Sequence, residues 1–265
     1  MKKLFFCLCL SLTLLSIAGC DGSAWGKSEP VIAGGRIARD STTLPFDSIA
    51  IHGPFDVNIR LLPQQYYIHY TGNASLVNLV SYYVKDEVLH VLTNPSFSYN
   101  PSLKMMLTIE VPSVKRLHYQ GSGKVSLMNI NVPHFIADID GSGYVLFTGK
   151  ANRFDATVTG SSHMDAKNLM ARTIFVNTDD FAQAEVASHG NISALAGHNS
   201  DIYAYDNAAL IADYATRSGS VMRMFGVAVA SPQYALPIYP TPQSTIGKMS
   251  PVVLAESETI SYKIK

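Results

Sequence analysis

The sequence predicts an all-β solenoid, a chain wound into stacked coils of about 19 residues. A turn rich in small residues recurs at a nearly constant spacing, and the residues that flank it are apolar at alternate positions. No stretch shows a sustained helical period. A repeat period near twenty is typical of solenoids, in which one coil cannot bury its apolar face alone.

The recurring turn lies between about Lys115 and Gly226. It reads Gly-Ser-Gly at 121–123 and 141–143, and Gly-Ser-Ser at 160–162. Aligning the flanking apolar residues places the first turn position at residues 121, 141, 160, 178, 198 and 217, with steps of 20, 19, 18, 20 and 19. Because glycine has the backbone freedom that a tight turn needs, each repeat is predicted as strand, turn, strand.

The residues around this turn form aligned columns. Two positions before it, the residues are apolar: Tyr119, Ile139, Val158, Val176, Ala196 and Ala215. Four positions after it, they are again apolar: Val125, Val145, Met164, Ala182, Ile202 and Val221. The intervening columns are mostly polar, which is the period of a strand with one inward face. Stacked coils would therefore enclose an aliphatic interior and present a polar exterior.

Two repeats depart from this pattern. The fourth has Thr178-Asp179-Asp180 at the turn, and the last has Asp213 and Arg223 in columns that are otherwise apolar. A terminal repeat is expected to be atypical because it covers the core against water. We therefore interpret Asp213 and Arg223 as a charged end cap, with a charged functional site as the alternative.

The first twenty residues are typical of an export signal. Lys2 and Lys3 precede an apolar run at 4–15, which is followed by small residues. Cys20 directly after them resembles the bacterial lipoprotein signal, in which this cysteine is acylated and becomes the first residue of the mature chain. We predict a signal peptide over 1–19, lipidation of Cys20 and membrane attachment through this lipid. An ordinary secretory signal is the alternative.

The predicted anchor implies a location in a bacterial cell envelope, facing the periplasm or the cell surface. Asp21 resembles the signal that retains lipoproteins in the inner membrane of some Gram-negative bacteria. Cys7 and Cys9 would leave with the signal peptide. The mature chain would then have no internal disulfide and no thiol for catalysis or metal binding.

Composition favours a folded exported domain and disfavours a nucleic-acid partner. Charged residues make up 15% of the 265 residues, below the usual quarter. Without Lys2 and Lys3 the chain has 18 basic and 20 acidic residues, a formal charge of about −2. Nucleic-acid binding would require a concentrated basic face, and the sequence shows none.

Before the repeats, residues 20–45 are rich in Gly, Ser and Arg and are predicted as a flexible tether. From Phe46 the chain is strand-like. Apolar and polar residues alternate, or β-branched and aromatic residues cluster, at 55–61, 66–70, 82–84, 88–92 and 103–111. Predicted turns separate these strands at 53–54, 71–73, 85–87 and 94–95.

Three features carry a family resemblance: FDSIAIHGPFDVNI at 46–59, YVKDEVLHV at 83–91, and the Gly-Ser-Gly coils. Together they resemble a bacterial family of unknown function, "putative auto-transporter adhesin, head GIN domain", over about 46–226. The resemblance implies a right-handed parallel β-helix or closely related β-solenoid, exported and often lipid-anchored, and it supplies no catalytic residues. The family usually has Asp after Gly-Ser-Gly, where this chain has Lys124, Tyr144 and His163.

Residues 227–265 lie beyond this resemblance. Prolines at 232, 237, 240, 242 and 251 disfavour regular strand pairing. Ile260, Tyr262 and Ile264 alternate with polar residues. We therefore predict an extended proline-rich arm with one candidate strand at its end.

Outward carboxylates are the candidate catalytic groups. Asp138 and Asp140 lie two residues apart and should project from the same side of a strand, Asp155 lies one coil on, and His163 follows the next turn. Parallel β-helices include polysaccharide lyases and hydrolases, and glycoside hydrolysis uses two carboxylates ~5–9 Å apart. Because adjacent coils are only ~4.8 Å apart, such pairs arise in any solenoid with outward Asp residues. We therefore interpret these residues as solvated surface acids.

The histidines and acidic pairs give no strong metal motif. No two histidines have the spacing of a paired metal ligand. The nearest approximations are His163 with Asp165 and His198 with Asp201. Asp179-Asp180 and Asp201 could bind calcium weakly, but the chain lacks the Gly-rich nonapeptide calcium repeat of other solenoids. We predict no metal and no cofactor.

The leading hypothesis is a lipid-anchored envelope protein that presents a non-catalytic solenoid surface for adhesion, binding or assembly. A cell-surface glycan or an envelope protein would be its partner. One alternative is a carbohydrate-active enzyme that uses Asp138, Asp140 or Asp155. Another is a purely structural protein whose solenoid separates its two ends. The sequence does not indicate the ligand or the oligomeric state.

Overall fold

The structure is a computed structural model that describes residues 29–30, 35–94, 97–98, 105–205 and 209–225. The predicted signal peptide, Cys20, Asp21 and the C-terminal arm lie outside these residues. All of the described residues belong to one unit, Met1–Pro232. None of the helices in this part of the chain is long and apolar enough to cross a membrane.

The described residues form seventeen strands and one short helix. In chain order these are β1 (Glu29–Pro30), β2 (Arg36–Thr42), β3 (Ser48–His52), β4 (Phe55–Leu61), β5 (Tyr67–Asn73), α1 (Ala74–Val77), β6 (Val80–Lys85), β7 (Val88–Thr93), β8 (Phe97–Ser98), β9 (Met105–Val111), β10 (Arg116–Gly121), β11 (Lys124–Gly141), β12 (Tyr144–Val158), β13 (His163–Thr178), β14 (Gln183–Ala196), β15 (Asp201–Tyr205), β16 (Ala209–Ala215) and β17 (Ser220–Met224). β1 and β8 pair only with each other.

Parallel pairing of successive coils confirms the predicted solenoid, which has about five turns. β11 to β14 are long because each one bends through a corner and contributes to both sides of the coil. Sheet I contains the whole strands β6, β7, β3, β10 and β16. It also contains the second part of each long strand, after the corner: β11 from residue 135, β12 from 153, β13 from 173 and β14 from 191. Sheet II contains the whole strands β2, β5, β9, β4, β15 and β17. It also contains the first part of each long strand, before the corner: β11 up to residue 127, β12 up to 147, β13 up to 166 and β14 up to 187.

The core lies between the two sheets and is filled by the inward columns. Val125, Val145 and Met164 stack in register on sheet II, and all three are buried. At the level of the corner, the ring of Phe135 lies 5.1 Å from that of Phe147 in an edge-on arrangement. Buried ring pairs of this kind contribute ~0.5–1.5 kcal/mol beyond the area that they bury.

The glycines of the predicted turns are required by close backbone approach. A Cβ atom on Gly123 would lie 1.8 Å from the carbonyl oxygen of Phe55 in the neighbouring coil. Gly141 has a φ of +106°, and a Cβ there would lie 2.4 Å from the carbonyl oxygen of Gly121. Side chains rarely adopt this conformation and do not fit this space, so the turns depend on glycine.

The fourth coil is registered two residues later than the sequence alignment predicts. Val158 pairs with Thr178 and not with Val176, so the turn position is Asp180, and the steps are 20, 19, 20, 18 and 19. Thr178 therefore points inward, where its buried hydroxyl lies 2.8 Å from that of Ser200. A two-residue shift leaves every side chain on the same face of the strand, so apolar alternation cannot detect it.

The folded domain begins before Phe46, which corrects the predicted tether at 20–45. Strand β2 lies within that range and pairs antiparallel with β5, from Arg36 opposite Asn73 to Thr42 opposite Tyr67. β2 reads RIARDST and shows little apolar alternation. Backbone pairing at the edge of sheet II holds this strand, so composition alone does not predict it.

The last coil of the described chain carries the predicted charged cap. Asp213 pairs with Ala194 and Arg223 pairs with Ala204, and both charged residues are exposed. Within the described residues, β16 and β17 pair with the preceding coil only. This placement is the one expected of an end cap.

Candidate functional site

The candidate carboxylates lie on the outer surface of sheet I, whereas His163 lies on that of sheet II. Asp138 and Asp140 project from the same side of β11, as predicted. Asp155 lies on the next coil. The residue that pairs with Asp138 there is Thr157, and Asp155 pairs with Ile136. The structure therefore brings the three aspartates to one surface and places His163 elsewhere.

A chain of hydrogen bonds runs across neighbouring coils at Asp140. His52 Nδ1 donates to Gln120 Oε1 over 3.0 Å, and Gln120 Nε2 donates to Asp140 Oδ2 over 3.0 Å. The hydroxyl of Thr159 donates to Asp140 Oδ1 over 2.9 Å. The bond from Thr159 is the largest cause of a lowered pKa at Asp140, so this carboxyl is held in its ionised form.

The other two aspartates are ion-paired. Arg116 Nε lies 3.2 Å from Asp138 Oδ2. Asp155 accepts from Arg153 Nε over 2.8 Å, and His134 Nε2 lies 2.8 Å from its second oxygen. Burial tends to raise the pKa of Asp155, but the bonds from Arg153 and His134 outweigh it and lower the pKa. Each of the two carboxylates therefore has a cationic or hydrogen-bonding partner.

His163 belongs to a partly buried charged network on sheet II that sequence reasoning missed. Lys167 forms a salt bridge with Glu185 and lies 3.1 Å from Asp165 Oδ2. His163 Nε2 lies 2.9 Å from Glu185 Oε1, and the Tyr205 hydroxyl donates to Glu185 Oε2 over 2.9 Å. Asp165 and Glu185 pair in register. The sequence alignment, with the fourth turn position at residue 178, places Gln183 opposite Asp165. It therefore concealed the contact between Asp165 and Glu185.

Within this network, Glu185 and Lys167 compensate each other's charge. The hydrogen bond from His163 is the main reason why the pKa of Glu185 falls to about 2. Burial lowers the pKa of Lys167, but its bonds to Glu185 and Asp165 outweigh burial and raise it overall. Glu185 and Lys167 therefore stabilise each other's charged forms.

Asp179, Asp180 and His198 are the one group, within the residues that the structure describes, whose ligand atoms approach each other closely enough for a metal ion. These atoms all lie within 4.8 Å of one another. His198, which sequence spacing grouped with Asp201, is hydrogen-bonded to Asp179. A nitrogen of the Arg217 guanidinium lies 2.9 Å from His198 Nε2. A guanidinium at this distance disfavours a cation, so we do not assign a metal site.

Glycoside hydrolysis requires one carboxyl group that stays protonated until it donates, and hence a raised pKa. Among the described residues, every carboxyl group with a displaced pKa is displaced downward: Asp40, Asp47, Asp140, Asp155, Asp179 and Glu185. On the outer surface of sheet I, Asp140 and Asp155 are therefore displaced away from the protonated form that a general acid needs.

The outer surface of sheet I becomes apolar toward its last coils, although the sequence predicted a mostly polar exterior. Phe175, Leu195 and Tyr214 project outward with 41%, 41% and 64% of their surface exposed. Leu195 pairs in register with Tyr214. Phe175 lies one coil earlier, where it pairs with Ser193 and is displaced by two residues along the strand from Leu195. We call these three residues the apolar strip. Exposed apolar clusters on a polar surface mark binding sites.

A family model described as "Putative auto-transporter adhesin, head GIN domain" matches residues 45–208. A solved structure titled "putative adhesin" from Bacteroides fragilis is 17% identical, with a TM-score of 0.58 over 74% of this chain and 100% of that one. A "Putative lipid binding protein" from Parabacteroides distasonis is 15% identical, with a TM-score of 0.48 over 74% and 100%. At these identities the first likeness shows a shared fold. No curated protein matches the chain significantly.

Proposed function

The chain belongs to the family described as "Putative auto-transporter adhesin, head GIN domain", and we propose that it is an envelope-anchored protein whose solenoid presents a non-catalytic adhesive surface. The observation that carries this proposal is the composition of the outer surface of sheet I. An exposed apolar strip lies there beside carboxylates that already have hydrogen-bonded or cationic partners. Such a surface is suited to binding a partner without reacting with it.

The proposal predicts binding without turnover. Purified protein, lacking the signal peptide, should retain at least one polysaccharide or envelope component on an array of cell-surface glycans and in a pull-down from envelope extract. A reducing-end assay on the same polysaccharides should show no cleavage, because the hydrogen bonds and ion pairs of Asp140 and Asp155 lower the pKa of each carboxyl, whereas a general acid needs a raised one. Cleavage that is abolished by Asp140→Asn would establish the enzymatic alternative and contradict the proposal.

Lipid anchoring is the second part of the proposal and is supported by the sequence around Cys20. We expect Cys20→Ser to release the protein from the membrane fraction, because attachment depends on acyl chains at this position. The circular dichroism spectrum should not change, since β2 begins only at Arg36. Cys9→Ser, inside the signal peptide, is the control and should stay attached. A Cys20→Ser protein that remains bound after a carbonate wash would refute the anchor.

A further inference from the structure

Two histidines on the first coils of sheet I form a candidate metal site, which goes beyond the proposed adhesive function. His52 on β3 and His118 on β10 project from the outer surface, and these two strands pair in parallel. We propose that His52 and His118 together bind one divalent transition-metal ion of the zinc class, with water at the remaining positions. Sequence spacing predicted no metal, because the two histidines are far apart in the chain and only the pairing of β3 with β10 brings them together.

The separation of the two imidazole rings fits a shared ion. The ring centres of His52 and His118 lie 5.2 Å apart, and the ring planes are inclined by 52°. For a tetrahedral ion with metal–nitrogen bonds of ~2.0–2.1 Å, the centres of two ligating rings lie ~5 Å apart. Rings stacked face to face direct their nitrogens along parallel planes, whereas inclined rings can direct one nitrogen each toward a common point. The pair is therefore close to the arrangement that one ion requires.

Hydrogen bonds determine which nitrogen of His52 is available. The hydroxyl of Thr159 and the amide nitrogen of Gln120 donate to the two oxygens of Asp140. Because a carboxylate only accepts, Gln120 presents its NH₂ group to Asp140 and its carbonyl oxygen to His52. His52 Nδ1 is then the donor, which leaves the lone pair of the neutral ring on Nε2. Metal-binding histidines are oriented in the same way, by donating their other N–H to a carbonyl or carboxylate.

His118 is held in the form that binds metal. Its side chain is partly buried. Burial, followed by the neighbouring His52, lowers the pKa of His118. The ring is therefore mostly neutral at pH 7, and only a neutral imidazole offers a lone pair to a metal ion. Both rings of the pair can thus act as ligands at neutral pH.

The charge around the pair favours a cation. Two acidic side chains and one basic side chain act on His118: Asp138, Asp140 and Arg116. The guanidinium of Arg116 is occupied by Asp138. At His198, by contrast, a guanidinium nitrogen lies 2.9 Å from Nε2. Imidazole ligands suit zinc, nickel and copper, whereas calcium and magnesium prefer oxygen ligands, so the ligand set selects a transition metal.

The test is a calorimetric titration of Zn²⁺ and of Ni²⁺ into purified protein that lacks the signal peptide. The protein carries Cys20→Ser, so that no thiol competes for the metal. We expect one ion per chain, and excess Ca²⁺ should not displace it. Gln120→Leu should weaken the affinity by ~10–100-fold, because it removes the carbonyl that orients His52. His52→Ala and His118→Ala each remove one of only two protein ligands and should weaken it at least as much.

The bound ion should also link neighbouring coils, because its two ligands lie on different strands. Zn²⁺ should therefore raise the melting temperature of the wild-type protein, since the ion binds the folded state and the unfolded chain lacks the paired ligands. The same concentration of Zn²⁺ should not raise the melting temperature of His118→Ala. An equal rise in both proteins would contradict the proposal.

His189→Ala is the matched control, because His189 is an exposed histidine on β14, several coils from the pair. It should leave the affinity unchanged. Circular dichroism checks that each variant folds, and His118→Gln replaces His118→Ala if the alanine variant does not. Failure of both ions to bind, or an equal loss in His189→Ala, would overturn the proposal. If His198→Ala abolishes binding while His118→Ala does not, the ion lies beside Asp179 and the assignment to His52 and His118 is wrong.

Discussion

Lys167→Met is expected to lower the free energy of unfolding by about 1–3 kcal/mol at pH 7, because it removes the ammonium partner of two largely buried carboxylates. The side chains of Asp165 and Glu185 are only 12% and 14% exposed, and Lys167 contacts both. Methionine retains most of the lysine stem, so the loss reports on charge more than on packing. Urea unfolding with an unchanged m-value measures it.

The effect has a definite pH dependence. In the wild type, the pKa of Glu185 is lowered from 4.5 to about 2. Its charge therefore contributes stability that is present above pH ~4.5 and is lost as pH falls toward 2. In the variant, Glu185 keeps its bond from His163 but loses the ammonium group of Lys167 while Asp165 stays beside it, so the pKa of Glu185 rises above its wild-type value. The variant should therefore regain stability relative to wild type as pH falls from 7 to 5.

Lys150→Met is the matched control, because Lys150 is an exposed lysine on β12. A substitution at such a site usually changes stability by less than about 0.5 kcal/mol. Equal losses for the two variants at pH 7, or a Lys167→Met deficit that grows on acidification, would contradict the role assigned to the network.

Deletion of residues 145–163 is expected to give a folded solenoid that is shorter by one coil. The cut removes 19 residues and joins Tyr144 to Met164, which pairs in register with Val145, so the inward column is preserved. Stability in a solenoid is roughly a sum of coil terms and nearest-neighbour terms. The product should therefore melt cooperatively at a lower temperature, keep its β spectrum and have a core ~4.8 Å shorter.

A deletion one residue longer provides the control. Removing 145–164 joins Tyr144 to Asp165 and shifts the strand by one residue, which turns inward side chains outward. That variant should be far less stable than the 19-residue deletion. An insoluble or molten product from the shorter deletion, or equal behaviour of the two, would refute the coil register. Both deletions retain the apolar strip, so binding of the partner that the wild-type protein retains should persist wherever the chain folds.

The sequence by itself determined the repeat architecture, because its physical causes are local. Alternating apolar residues allow one face of each strand to be inward, and the backbone approach at Gly123 excludes a side chain. The repeats, together with the motifs at 46–59 and 83–91, indicated the family, which the family model confirms over 45–208. Asp213 and Arg223 marked the last coil for a similar reason, since charged residues are disfavoured in a column that stays buried.

Only the tertiary structure decided which residues of neighbouring coils meet. A shift of two residues preserves every inward side chain, so the sequence could not distinguish Thr178 from Val176 opposite Val158. That choice sets Glu185 beside Asp165 and creates the charged network. The apolar strip depends on it as well, because Phe175, Leu195 and Tyr214 are far apart in sequence. The contacts on the outer surface are cross-strand contacts, and register alone determines them.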